Sequence, residues 1–352
     1  MSLGERLLHA KVDPENMLGH IENLPDQLWL AWKQGLELEL PRTGLIRQVV
    51  VAGMGGSAIG GDLLANYLAS RCDLPIISHR DYDLPAWAKG TETLVICSSH
   101  SGNTEETLSA FDAALANGCS ILSLSTGGKL TEKAQVAGVS AWTFEHVGQP
   151  RTAIGYSFGM LLALMTRLGL VSETDGDVLA AVEAMKDAQT FLGADVEVTA
   201  NPAKRLAGQL VGRYVSVFAA GPLEVVARRW KTQINELAKS WAQFEGLPEA
   251  DHNTLAGTRN PEAMLSKVAA IFLRAEMDHP RNSLRLDATR QLFMLEGLMT
   301  DDVWARGERE LAQMWTLLHF GDYVAYYLAL MYQVDPTPVA ALVALKQKLA
   351  GK

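Results

Sequence analysis

Short runs of β-branched and other apolar residues recur along the first half of the chain, most of them separated by stretches whose apolar positions repeat at helical spacing. The first, residues 47–52 (RQVVVA), lacks polar alternation, which predicts a strand covered on both faces in a parallel sheet. Runs at 74–78, 93–97, 120–124 and 140–144 repeat the pattern, and residues 60–69 and 104–117 supply helices between them. The order βαβαβ predicts a mainly parallel, doubly wound sheet. A second, weaker copy begins at 214–219 (YVSVFA), followed by Gly221 and a helix over about 223–239. Further strands are expected at 267–273 and 292–295, with long helices over 304–331 and 338–349. Ahead of the first sheet, 16–38 reads as helical with an interruption near Pro25, and 150–200 reads as an outer helical layer and linker. The chain therefore divides into an N-terminal helical segment (1–40), an α/β domain (41–185) and a second α/β domain (200–352).

Composition supports two globular cores: 352 residues, 48% of them apolar, exceed what one ordinary domain holds. The formal charge of -9 and the lack of any Lys/Arg run longer than two leave no broad positive surface for a nucleic-acid backbone. Any anionic ligand must then be held locally. Three cysteines, Cys72, Cys97 and Cys119, show no CxxC spacing, which points to a reducing compartment. No window reaches 18 apolar residues and the first 13 residues do not read as a leader, so a cytoplasmic protein without membrane contact is expected. None of the eight histidines falls in a metal-binding spacing, and no metal or other cofactor is expected.

The chemistry concentrates in two turns that leave strands and enter helices. In VVVAGMGGSAIGGD (49–62), Gly55, Gly56 and Ser57 allow close backbone approach to an anion at a helix N-terminus, where amides and helix dipole favour negative charge. Taken alone, the GxGxxA spacing also fits a dinucleotide turn, or glycines chosen only for tight packing. No Asp or Glu closes the next short strand, where Ile76 and Ile77 run into Ser78, His79 and Arg80, which weakens the dinucleotide reading. In CSSHSGNTEET (97–107), hydroxyls replace glycines: Ser99, Ser101 and Thr104 can converge with amides on three phosphate oxygens, although Ser101 and Thr104 could instead simply cap the helix.

Together with QPRTAIGY (149–156) and RRWKTQINE (228–236), these motifs resemble the bifunctional phosphoglucose/phosphomannose isomerases, which are built from two tandem sugar-isomerase (SIS) domains of flavodoxin-like, doubly wound fold. The resemblance runs from about residue 45 onward. It implies a cofactor-free aldose-ketose isomerase acting on glucose 6-phosphate and fructose 6-phosphate through an enediol(ate), in a homodimer with shared active sites. Glu236 matches the family's base, a role that suits a carboxylate whose pKa burial raises toward neutrality. His252 matches the histidine that opens the sugar ring from the neighbouring subunit, and Arg151 the arginine that steadies the intermediate. Lys346 fits the family's lysine near the end of the last helix better than Lys348. The chain departs from the family pattern at Leu237, at Ser240 and Trp241, and at Val339, where a threonine is usual. These departures leave open whether mannose 6-phosphate is also a substrate. A sugar-phosphate sensor without turnover and an isomerase for another sugar phosphate are the alternatives, because the phosphate turns do not read the sugar.

Overall fold

The computed structural model describes residues 11–172 and 174–350. Two compact units are present: one comprises Asn23–Ala184 with Gly307–Ala312, and the other, among the described residues, comprises 11–22, Met185–Arg306 and 313–350. The helical stretch expected before the first strand is two helices, α1 (Met17–Glu22) and α2 (Leu24–Glu37), with Pro25 in the first turn of α2 where its missing amide costs nothing. Helix α1 falls in the second unit and α2 in the first.

The first unit alternates β1 (Gln48–Ala52), α3 (Gly55–Leu68), β2 (Ile76–His79), β3 (Thr93–Ser98), α4 (Glu105–Ala116), β4 (Ser120–Ser125), α5 (Gly128–Ala137) and β5 (Ser140–Thr143). All strands are parallel, in the order β2-β1-β3-β4-β5, which is the flavodoxin-like doubly wound order. Val49, Val50 and Val51 are fully buried, as the unbroken apolar run requires of a strand covered on both sides. One face carries α4 and α5, whose Phe111, Ala114, Leu130 and Ala134 pack on Val50, Val95 and Ile121. Helix α6 (Ile154–Arg167) packs between α3 and α2, and α7 (Asp175–Leu192) follows it.

The second unit contains α8 (Pro202–Leu210), β6 (Tyr214–Ala220), α9 (Glu224–Leu237), β7 (Ala242–Leu247), β8 (Val268–Arg274), α10 (Pro280–Leu295), β9 (Met299–Trp304), the main part of α11 (Glu310–Tyr332) and α12 (Ala340–Ala350). Its sheet is again parallel, in the order β7-β6-β8-β9. Residues 292–295, expected as a strand, are instead the last turn of α10. A four-residue apolar run does not distinguish strand from helix, and the start of α10 is set upstream, where His279 Nδ1 accepts from the Arg281 amide at 3.1 Å. The strands that take its place, β7 (AQFEGL) and β9 (MTDDVW), are the two edges of the sheet. Edges tolerate the Gln, Glu, Gly and Asp residues that hide a strand from pattern reading. Residue 304, expected to open the last long helix, closes β9, and α11 begins at Glu310. Helix α11 is apolar on nearly every face and buried through most of its length. Among the described residues no helix is long and apolar enough to cross a membrane.

His319 on α11 is fully buried, with its Nε2 2.9 Å from the Ile21 carbonyl of α1. Burial pulls its pKa down to about 4. Above about pH 6.5 neither the folded nor the unfolded state protonates this ring, so its contribution is flat. Below that pH the unfolded chain takes up the proton and the folded state does not, so stability falls as pH drops toward 4, by about 3 kcal/mol at ~1.36 kcal/mol per pH unit. Urea unfolding at pH 7 and pH 4.5 should therefore show a steeper acid loss for the unaltered protein than for His319→Gln, which keeps an N–H donor and cannot titrate.

Candidate active site

Parallel pairing places Ala52 of β1 opposite Cys97 of β3, so the chain leaves both strands side by side at the carboxyl end of the sheet. Strand order reverses at this point, since β2 lies on the far side of β1 from β3, and crevices at such reversals are where α/β sheets bind ligands. The adjacency is close: a Cβ placed on Gly53 would lie 2.7 Å from the Ser98 carbonyl oxygen.

After β1 the backbone enters α3 at once, and Gly55, Gly56 and Ser57 form its first turn. The helix thus starts five residues earlier than its apolar pattern indicates, because glycines carry no hydrophobic signal. No side chain caps this start, and Ser57 is only 5% exposed. Gly56 is sterically required: a Cβ there would stand 2.8 Å from the Pro150 carbonyl oxygen and 3.3 Å from Arg151 Cα. That contact brings the turn Pro150–Thr152 against the first turn of α3, and Arg151 within it is 3% exposed.

After β3, Thr104 occupies the N-cap position of α4, yet its hydroxyl bonds Ser99 Oγ at 2.9 Å and makes no cap hydrogen bond. Ser101 is exposed, and its Oγ accepts from the Asn103 amide at 3.2 Å. Neither hydroxyl therefore serves the cap role that was its bland alternative, and the first-turn amides of α4 have no side-chain cap. Ser57, Ser99, Ser101 and Thr104 thus lie on two adjacent helix starts. A third turn, Thr126 to Gly128 after β4, joins them without having been expected from the sequence. Thr126 donates to the His100 carbonyl through its amide at 2.9 Å and its hydroxyl at 2.7 Å, and the Leu130 amide donates to the Gly102 carbonyl at 2.9 Å. Gly102 has φ of +66°, and a Cβ there would strike the Gly127 carbonyl. The signal was present as Gly127-Gly128 at the carboxyl end of the next strand.

The remaining expected residues belong to the second unit. Glu236 is the penultimate residue of α9 and is half-buried. The end of α9 is held by Asn235, whose Oδ1 accepts from the Ala242 amide at the start of β7 (2.9 Å), and the helix body by Trp230, whose Nε1 donates to the Leu317 carbonyl (2.8 Å). His252 closes a short turn, Glu249–His252, and is exposed. Its neighbour Asp251 ties that turn to α10 through Arg285 (2.8 Å) and Thr289 (2.7 Å). Lys346 and Lys348 lie exposed on α12, and Trp241, one of the departures noted above, is 73% exposed. A cavity of about 450 Å³ in this unit is lined by Arg205, Asp301, Asp302, Trp304 and Arg306 among others, and by none of the expected residues. Its mixed charges suit a phosphate dianion less well than amides and hydroxyls do. Among the described residues no three His, Cys, Asp or Glu side chains gather in a way that could hold a metal ion.

Two parallel α/β sheets, the first with uncapped helix starts at its strand-order reversal, define a tandem SIS-domain protein. A glucose-6-phosphate isomerase-like protein from Thermus thermophilus shares this fold with a TM-score of 0.66 at 19% identity, over 97% of this chain and 99% of its own. Residues 199–349 match the family described as the bacterial phospho-glucose isomerase C-terminal SIS domain. The bifunctional phosphoglucose/phosphomannose isomerase of Caldicellulosiruptor bescii is 41% identical, with 95% of this chain and 99% of that protein covered. The enzyme of the same name from Aquifex aeolicus is 35% identical over 86% and 90%. The chain belongs to the bifunctional phosphoglucose/phosphomannose isomerase family.

Gly56→Ala should fold and yet push the Pro150–Thr152 turn away from α3. Protection of the protein against thermal unfolding by inorganic phosphate is the measurement, and the expected result is a loss of at least about tenfold in phosphate affinity, corresponding to ~1.4 kcal/mol.

Proposed function

We propose that this enzyme interconverts fructose 6-phosphate with glucose 6-phosphate and with mannose 6-phosphate, by moving one proton between C1 and C2 of the open-chain sugar. The observation that carries this reading is the pair of uncapped helix starts with Ser57, Ser99, Ser101 and Thr104 beside the Arg151 turn, in a chain whose relatives carry both activities in their names. Gly55 and Gly56 let the backbone approach the phosphate, and the four hydroxyls and first-turn amides hold its oxygens. Residues 41–185 hold the phosphate, and residues 200–352 supply the base.

His252 opens the ring by moving a proton from O1 to O5. Its exposure in the single chain fits a side chain that serves a neighbouring copy, so the working form is a homodimer, and three cysteines without disulfide spacing favour the cytoplasm. The Glu236 carboxylate takes the C2 proton of the aldose, the electron pair of that C–H bond forms the C1–C2 double bond as the carbonyl pair moves onto O1, and the negative O1 takes over the proton that O2 gives up as the ketose carbonyl forms. Return of the proton to C1, with loss of the O2 proton, gives the ketose. Arg151 lowers the energy of the enediolate because a fixed guanidinium costs no reorganisation when the negative charge appears. Lys346 adds a second positive charge. Rotation of the intermediate about its C2–C3 bond turns either face of C2 toward the same carboxylate, so that return of the proton to one face gives glucose 6-phosphate and to the other mannose 6-phosphate, and a single base serves both aldoses.

Glu236→Gln keeps the shape and removes the base. Turnover of fructose, glucose and mannose 6-phosphates should fall together by about 10²-fold to 10⁴-fold while inorganic phosphate still binds. Undiminished turnover in the variant would remove Glu236 from the mechanism.

A further inference from the structure

Two imidazoles that this mechanism does not use meet in the first unit: His100 Nε2 lies 2.9 Å from His146 Nδ1. His100 stands between Ser99 and Ser101 in the turn after β3. His146 precedes the Pro150–Thr152 turn, and its Nε2 lies 3.3 Å from Thr152 Oγ1. The two rings are set edge-on at 5.1 Å, and both are walled by the stacked pair Phe144 and Tyr156.

Hydrogen counting orders this chain. The Thr152 hydroxyl has one hydrogen and gives it to the Gln149 carbonyl at 2.8 Å, so toward His146 it accepts, and His146 Nε2 carries the hydrogen. A neutral His146 then presents Nδ1 as an acceptor, and His100 must donate from Nε2. The result is a directed relay, His100 Nε2–H to His146 Nδ1 and His146 Nε2–H to Thr152 Oγ1. Burial, which lowers the His100 pKa, keeps that ring neutral and suits this arrangement.

We propose that His146 is a positioning residue that locks the two phosphate turns in register. One end of the relay is the Ser99–Ser101 turn itself. The other is the Pro150–Thr152 turn, whose Pro150 and Arg151 backbone abuts Gly56 in the first turn of α3. His146 therefore ties these two segments to each other, and it acts on the phosphate only through them. The inference rests on the phosphate reading of this site. Loosening the phosphate cradle raises KM, and because the same Pro150–Thr152 turn carries Arg151, which the mechanism sets against the enediolate, kcat falls as well.

The test compares the unaltered protein with His146→Leu, His146→Asn, His100→Leu and the double variant His100→Leu/His146→Leu. Fructose 6-phosphate kinetics and calorimetric binding of inorganic phosphate are the readouts. His146→Leu should raise both KM and the phosphate Kd by about fivefold to tenfold, the effect of one lost hydrogen bond, and should lower kcat as well because the Arg151 turn shifts with it. His146→Asn, which can place an acceptor near the Nδ1 position, should recover most of the loss. His100→Leu should match His146→Leu, and the double variant should be no worse than either. If His146→Leu fails to fold, His146→Asn and His100→Leu carry the test on their own. Wild-type affinity in His146→Leu overturns the proposal, as do fully additive losses in the double variant or ¹⁵N ring shifts that put the His146 hydrogen on Nδ1. Failure of the isomerase reading looks different: the unaltered protein would not turn over fructose 6-phosphate, while the phosphate Kd still reports on His146.

Discussion

Parallel pairing of β1 with β3 is the constraint on which the candidate phosphate site depends. It sets Ala52 opposite Cys97, and both chains must then turn into helices at the carboxyl end of the sheet. Two helix N-termini side by side bring two sets of unpaired amides and two positive dipole ends to one place. A chain of formal charge -9 can hold a phosphate there without any cluster of basic residues, because the attracting charge is supplied by the backbone. The cost is steric. Gly56 must be bare to admit the Pro150–Thr152 turn, and Gly102 must adopt positive φ against Gly127.

The second unit carries Glu236, the proposed base, on a helix that is fixed along its length and at its end. Helix α9 is tied to α11 by Arg229 and Asp322, a buried pair at 3.0 Å, and by the Trp230 indole on the Leu317 carbonyl. Such a pair adds little over apolar packing of the same shape, whereas removal of one partner alone costs about 3–5 kcal/mol because the other charge is left in the interior. Its value lies in specifying how α9 sits. Glu236, six residues beyond Trp230, inherits that position, and Asn235 holds the helix end to β7.

Much of the fold can be read along the chain, for a definite reason. Strands buried on both faces carry runs of apolar and small residues without charge, so β1, β3, β4, β6 and β8 announce themselves. The edge strands β7 and β9 are half-exposed and can carry Gln, Glu and Asp, so they do not. The run at 292–295 misleads because α10 has apolar residues at its last turn, of which Leu292, Met294 and Leu295 remain exposed. The two Gly/Ser-rich junctions proposed to hold phosphate were legible because glycines and clustered hydroxyls stand out where a buried strand runs into a helix. The Gly127-Gly128 turn and the His100–His146 contact were not, since each derives its meaning from a neighbour 25 to 46 residues away.

The amino-acid order by itself determined the succession of strands and helices in the first sheet and the central strands of the second, the position of the two Gly/Ser-rich junctions and the family to which those motifs belong. These are local matters, set by side-chain periodicity and backbone freedom over ten residues or fewer. Tertiary structure alone decided that Thr104 bonds Ser99 instead of capping its helix, that the Arg151 turn rests on Gly56, and that two histidines share a hydrogen bond. Each of these depends on distances between segments far apart in sequence, and those distances exist only once the sheet has paired and the helices have packed.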